Sequence, residues 1–495
     1  TADKNSLFKR DASLSLDEIC KLNMMNQLTQ LSPKAVWTFF EEILTVPRPS
    51  KKEGKIIAYL QKFAADRKLP CKVDGVGNVL ISKPATPGYE GAKGIILQAH
   101  LDMVCEKNSD VTFDFENDAI VPSIENGWVK AVGTTLGADC GIGIAAQLAI
   151  LDDKSIRHGP LECLFTVDEE TGLTGAKALE PGFLQGSVLL NLDSEDEGEI
   201  FIGCAGGIDT VVQLKYREEP VPVGWFAAKI SVSGLLGGHS GDDINKGRAN
   251  AIKIVNRFLY ETGKNLDIRL AIFEGGNLRN AIAREAYAVV LVPSNRKEDL
   301  TIQFNEFREV IENEIVISEP KIKLKIESTD LPATVIDQQT QLNLTWALYA
   351  SPHGVLAMSQ RMPGMVETST NLASVRCKTG HIIEVVTSQR SDLESSKYDA
   401  AAMVESVFKL AGANVTHGDG YCGWAPNPSS AVLKGSVELY KDLFGVEPIV
   451  RSIHAGLECG LFLEKFPTLD MISFGPTLRG VHSPDERIEI ASVDK

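Results

Sequence analysis

The segment LQAHLDMVCE at 97–106 ends an apolar run in His100 and Asp102, an imidazole and a carboxylate with one residue between them. Four further segments carry side chains of the same kinds: Asp139 in TTLGADCGIG, Glu169 and Glu170 in TVDEETG, Asp193 in LLNLDSEDEGE, and His482 in GPTLRGVHSPDE. Each has an ordinary explanation when taken alone. A histidine at a strand end is usually hydrogen-bonded, and an aspartate in a Gly-rich turn usually caps the next helix. Adjacent glutamates, and the acidic run after Asp193, are usually solvated.

Taken together, two histidines and several carboxylates are the ligand set for one or two borderline-hard divalent ions, zinc by preference, with cobalt or manganese as alternatives. Two ions a few ångströms apart need one bridging carboxylate and a mixture of His and carboxylate on each side. The five segments supply that and leave one carboxylate over. Of the pair Glu169 and Glu170, one can bind metal while its neighbour takes a proton from water. Asp102 is placed to accept the second ring N–H of His100 and so fix its tautomer.

The elements around these residues give the same reading. LSPKAVWTFFEEILTVP and EGKIIAYLQKFAADRKL have helical apolar spacing, CKVDGVGNVLISKP is a strand pair, and GIILQAH is a buried strand. GIGIAAQLAILDD is a helix of small residues, and LECLFTVDEE and SVLLNLDSED are further strands. Such alternation predicts an α/β layer with a mixed, largely parallel sheet flanked by helices. In such sheets chemistry collects at the carboxyl ends of the strands. His100, Glu169, Glu170 and Asp193 all follow directly on strand-like runs.

From about residue 208 the pattern becomes β-α-β-β-α-β. A second helix–strand–strand–helix–strand pass follows, through TQLNLTWALYA, MVETSTNLASVRC, HIIEVVTSQRS, KYDAAAMVESVFKLAGA and NVTH. The expected organisation is an N-terminal extension (1–30), a catalytic domain in two parts (31–207 and 421–495), and an inserted α+β domain (208–420) built as a doubled β-α-β-β-α-β unit.

The composition is that of a globular protein, 43% hydrophobic and 23% charged. A net charge of −16 argues against nucleic acid or an anionic membrane as a general partner. No apolar run is long enough to span a bilayer, and residues 1–20 lack the apolar stretch of a secretory signal. Nine scattered cysteines without a CxxC suit a reducing compartment, so the cytoplasm is expected. Two other motifs fail on context. Gly141-Ile-Gly143-Ile-Ala-Ala146 matches a dinucleotide fingerprint but lacks a strand before it. GLLGGHSGDD does not have the G-x-S-x-G spacing of a serine nucleophile.

With HLD, LGADCGIG, DEETG, NLDSED and GVHSPDE in this order, the chain resembles the co-catalytic zinc exopeptidases related to carboxypeptidase G and aminoacylase, from about residue 31 to the C-terminus. GCAGGID, GGHSG, LRNAI, VETS and IHAGLECGLF add to the resemblance. They point to the branch that cleaves Xaa-His dipeptides such as β-alanyl-histidine.

The resemblance implies that Asp139 bridges two metal ions, with His100 and Asp193 on one and Glu170 and His482 on the other. Glu169 would be the general base, and Asp102 would support His100. The inserted domain would be a lid, whose His239 donates to the oxyanion and whose Asn280 and Arg390 hold the substrate backbone and free carboxylate. Gly456, in the IHAGLE loop, would also meet substrate. A small peptide is the expected partner, and the resemblance allows a homodimer through the lid or a doubled lid acting in cis. A broader di- or tripeptidase, or an N-acyl amino acid deacylase, would share this architecture. A chain keeping the fold for binding or assembly alone would lack a ligand or the base, and none is missing.

Overall fold

The structure, a computed structural model, describes residues 27–495; most of the extension read over 1–30 lies outside them. Within the described part, Leu28–Gln30 form a short 3-10 turn whose Leu28 is fully buried. The chain forms two compact units. One runs to Phe201 and adds Ser429–Val450 and Phe462–Lys495; the other comprises Ile202–Pro428 and Arg451–Leu461.

The first unit is built on a mixed sheet. The strand Ile95–His100 lies at its centre, parallel to Leu161–Thr166 on one side and to Val188–Asn191 on the other, which is in turn parallel to Asp470–Ser473. Val79–Lys83 and Cys71–Val73 extend it antiparallel. The central strand is buried along almost its whole length, as a strand covered on both faces must be.

Helices Lys34–Leu44 and Gly54–Arg67 contribute Trp37, Phe40, Ile43, Ile56, Leu60 and Phe63 to the core against the sheet. Each such side chain contributes roughly 1.5–3 kcal/mol by leaving water. Helix Ala138–Asp152 needs its small residues to come close. A Cβ at Gly143 would stand 3.1 Å from that of Ala99 and 3.0 Å from the Leu192 carbonyl oxygen. A small second sheet, in the order Leu478–Arg479, Arg487–Glu489, Trp128–Ala131 and Pro122–Glu125, carries the hairpin containing His482. These strands are too short for their periodicity to be read.

The second unit is a nine-stranded antiparallel sheet with helices Ala251–Thr262, Lys297–Ile315, Gln338–Ala350 and Glu394–Leu410 sharing its core. Its first half orders the strands Lys323–Ser328, Trp225–Ser233, Ala286–Pro293, Arg269–Gly276. Its second half continues with Val366–Lys378, Ile382–Ser391, Gly206–Lys215, Asn414–His417. Numbered within each β-α-β-β-α-β pass, these orders are 4-1-3-2 and 2-3-1-4, one the reverse of the other. The opening strand of the second pass, absent from the sequence pattern after residue 330, is Gly206–Lys215, which precedes the first pass in the chain. No helix among the described residues is long and apolar enough to cross a membrane.

Candidate metal centre and the lid cluster

His100 is the last residue of the central strand and is buried. Its Nε2 lies 3.0 Å from Asp139 Oδ1 and 3.3 Å from Asp193 Oδ1. The other oxygen of Asp139, Oδ2, lies 3.2 Å from His482 Nε2, which is 3.0 Å from Glu170 Oε2. Asp139 therefore turns one oxygen to each of two His–carboxylate pairs. Its backbone at the helix start is not helical (φ −83°, ψ 112°) and both of its oxygens face imidazoles, so the helix-cap explanation of this residue does not apply.

The glutamate pair sits on a tight turn. Asp168 has φ of 52° and accepts hydrogen bonds from the hydroxyls of Thr171 and Thr174, while its N–H donates to Glu53 Oε1 at 3.0 Å. Asp102 holds the same turn from the other side. Its carboxylate accepts from the N–H of Glu169 at 2.9 Å, the N–H of Glu170 at 3.2 Å and the Ser50 hydroxyl at 2.8 Å. The nearest acceptor to His100 Nδ1 is the main-chain carbonyl oxygen of Asp102 at 3.1 Å, with the carboxylate at 3.5 Å. Asp102 thus serves the imidazole through its backbone and the glutamates through its side chain, a division the sequence could not show.

Whether these residues suit divalent cations can be judged from their own chemistry. Ligand atoms of Asp139, Glu170 and His482 lie within 4.8 Å of one another, as do those of His100, Glu169 and Glu170. Glu170 Oε1 is buried without a hydrogen-bond partner, a costly state for a carboxylate oxygen unless a cation takes it. Burial, followed by the charges of Asp139 and Asp193, pushes neighbouring Glu195 up to about 8. Hydrogen bonds donated by His482 to the carboxylates of Asp139 and then Glu170 push its pKa up to about 11. Crowded buried carboxylates with two imidazoles and no lysine or arginine among the ligand atoms fit a pair of divalent ions.

The second unit holds its own cluster. His239 lies in the GGHSG turn, where its N–H donates to Asp243 Oδ2 at 2.8 Å. Its Nδ1 accepts from the N–H of Gly241 at 3.3 Å and of Asp242 at 3.2 Å. An Nδ1 that accepts cannot carry the proton, so the neutral ring presents Nε2–H as a donor. Burial, then the Arg390 charge, lowers the pKa of His239 and keeps it neutral.

Arg390 is 7% exposed; its Nη1 donates to the Tyr421 hydroxyl at 3.0 Å and its Nε is buried without a partner. Glycine is required on both sides of the Tyr421 ring. A Cβ at Gly207 would stand 2.7 Å from it, and one at Gly456 2.9 Å. Gly456 thus lies against the aromatic ring that supports Arg390. His454, two residues before Gly456, is buried with Nε2 2.8 Å from the Ser369 hydroxyl. Asn280 is exposed, and its carbonyl oxygen accepts from the Ser240 N–H at 2.9 Å, beside His239. Tyr421 and Arg48 lie in no motif singled out in the sequence, and Glu486 closes the GVHSPDE motif without a role assigned to it there.

The dinucleotide-like Gly141 has a packing explanation: its Cβ would stand 2.7 Å from the Arg48 guanidinium. All cysteines among the described residues are free.

The sequence pattern of "Peptidase family M20/M25/M40" matches residues 96–495. The chain is 44% identical over 469 residues to the cytosol non-specific dipeptidase of Escherichia coli (strain K12), covering 95% of this chain and 96% of that protein. The crystal structure of aminoacylhistidine dipeptidase from Vibrio alginolyticus superposes with a TM-score of 0.88 at 43% identity, covering 94% of this chain and 95% of that one. Aminopeptidase PepT from Bacillus cereus ATCC 10987 shares the fold, with a TM-score of 0.53 at 17% identity over 94% and 95% of the two chains. The chain belongs to peptidase family M20/M25/M40.

Proposed function

We propose that this protein is a cytoplasmic dipeptidase that holds two divalent ions, zinc foremost, and hydrolyses Xaa-His and related dipeptides. The observation that carries this reading is the two-sided placement of Asp139, 3.0 Å from His100 Nε2 and 3.2 Å from His482 Nε2 through different oxygens. In the reading, Asp139, His100, Asp193, Glu170 and His482 would hold the ions, with His100 and Asp193 grouped on one side of Asp139 and Glu170 and His482 on the other. Such ions, when bound, polarise a carbonyl and lower the pKa of water towards about 7. Glu169 accepts the proton of the attacking water and passes it to the departing amine. His239 donates its Nε2–H to the developing oxyanion, and Arg390 receives the substrate's free carboxylate on its open guanidinium edge. Asn280 and Gly456 complete the peptide's surroundings.

Support for a dipeptide substrate comes from the two similar proteins, one described as a non-specific dipeptidase and the other as an aminoacylhistidine dipeptidase. Those descriptions differ in breadth. The deciding experiment is metal analysis of the purified protein joined to turnover on β-alanyl-histidine, other dipeptides, tripeptides and N-acetyl amino acids. Two equivalents of metal with turnover of Xaa-His dipeptides is the expected result. Turnover confined to N-acetyl amino acids, or a metal-loaded protein inert on every peptide, would reject it.

A further inference from the structure

Arg48 and Glu486 are each 2% exposed and bind main-chain atoms of the segments that carry the candidate ligands. Glu486 follows His482 by four residues. Its Oε2 accepts the N–H groups of Leu136 at 2.7 Å and Gly137 at 2.8 Å. Its Oε1 accepts those of Ala138 at 2.7 Å and Asp139 at 3.2 Å. Arg48 donates to the carbonyl oxygens of Leu101 at 2.9 Å and Asp102 at 2.7 Å, and also to that of Gly137. Gly137 leaves the space for this, since a Cβ there would stand 2.6 Å from Arg48 Nη2. One buried anion thus joins the His482 hairpin to the Asp139 loop, and one buried cation joins that loop to the end of the His100 strand.

We propose that Glu486 and Arg48 are positioning residues that set the separation of His100, Asp139 and His482, and thereby the affinity with which the second of two divalent ions is held. The inference rests on the two-ion reading above. Four backbone donors converge on Glu486, and only an anion with two acceptor oxygens satisfies them all. A glutamine would turn its NH2 towards two of these N–H groups, and the Asp139 loop would have to shift. Support of this kind behind metal ligands is worth roughly 10–100-fold in metal affinity.

The test is stepwise Co2+ titration of the metal-free full-length protein, followed by visible absorption and chelator competition, on wild type, Glu486→Gln, Arg48→Lys and the exposed control Asp485→Asn. The expected result is two ions in all four. In Glu486→Gln one dissociation constant rises about tenfold or more with an altered absorption band, while Asp485→Asn matches wild type. If Glu486→Gln is poorly folded without metal, Arg48→Lys keeps the buried charge but cannot reach three carbonyls, and it should show the same selective weakening. A lower apo melting temperature with both dissociation constants within threefold of wild type would overturn the proposal and leave a purely structural role. A wild type that binds fewer than two ions would instead reject the two-ion reading, and the proposal with it.

Discussion

Asp102 accepts the main-chain N–H of Glu169 at 2.9 Å through the same carboxylate that receives Glu170 and Ser50. The position of Glu169, the proposed base, is therefore tied to a buried anion two residues beyond His100. Burial alone would raise Asp102, but the adjacent His100 and these donors hold it at about 2, so it stays ionised at working pH. Asp102→Asn keeps the shape and replaces one acceptor oxygen with a donor. It should lower turnover by roughly 10–100-fold. Steady-state kinetics alongside metal content will show whether the loss falls on kcat, as a displaced Glu169 requires. Unchanged kcat would show that the turn needs no such anchor.

Removing the proposed base has a different signature. Glu169→Gln leaves the proposed ligand set His100, Asp139, Glu170, Asp193 and His482 in place, so metal stoichiometry should equal wild type. Turnover should fall by about 10²–10⁴, the range for a positioned general base. Elemental analysis and turnover on one preparation decide it, and a parallel loss of metal would reassign Glu169 as a ligand.

His239 is tested through its tautomer. With Nδ1 accepting from Gly241 and Asp242, the ring offers one donor, Nε2–H. His239→Ala should reduce kcat by roughly 10²–10³, as the loss of an oxyanion donor does elsewhere. His239→Gln, which can still donate, should recover part of it. Metal binding should be unaffected, because His239 is not among the candidate ligands.

How much of this the sequence held depended on what each residue touches. The ligand candidates were legible because His100, Glu170 and Asp193 follow buried strands, and parallel strands bring their carboxyl ends together. The doubled second unit was legible in its helices and later strands. The opening strand of its second pass, Gly206–Lys215, was missed because a strand placed before the first repeat pairs with the second only in three dimensions. Glu486 was invisible for the same kind of reason: its partners are backbone N–H groups nearly 350 positions earlier. Asp139 was legible as a ligand candidate, but only the fold shows that Glu486 satisfies the helix start and leaves Asp139's oxygens to the histidines.

Two histidines of the second unit, the buried His454 and the half-buried His353, make its stability depend on pH. Burial, then the Arg390 charge, pushes His454 down to about 3. Burial, then Lys253, pushes His353 down to about 4. In the unfolded chain both titrate near 6.5. Between these values the unfolded chain binds more protons, so stability rises with pH. The contribution is fully present above about pH 6.5 and is lost as pH falls towards 4, at about 1.4 kcal/mol per pH unit per histidine. Urea unfolding followed between pH 7 and 4.5 should show a shallower pH slope for His454→Gln and for His353→Gln than for wild type. Equal slopes would mean that these rings reach solvent and protonate freely in the folded state.

Arg390 and Tyr421 separate binding from chemistry. The Tyr421 hydroxyl occupies one donor of the guanidinium, at 3.0 Å from Nη1, and the buried Nε has no partner in the protein. A buried guanidinium with an unfilled edge is suited to a bidentate carboxylate, which lysine cannot reproduce. Arg390→Lys should therefore raise KM for free dipeptides by about 10-fold or more, the loss of a charge-assisted hydrogen bond of roughly 1.5–3 kcal/mol. Tyr421→Phe removes only the phenol that aims the guanidinium, and should raise KM by a smaller factor with kcat retained. C-terminally amidated dipeptides lack the carboxylate, so both variants should process them as wild type does. If the variants lose activity on amidated and free dipeptides alike, Arg390 supports the fold of the cluster, and the carboxylate is bound elsewhere.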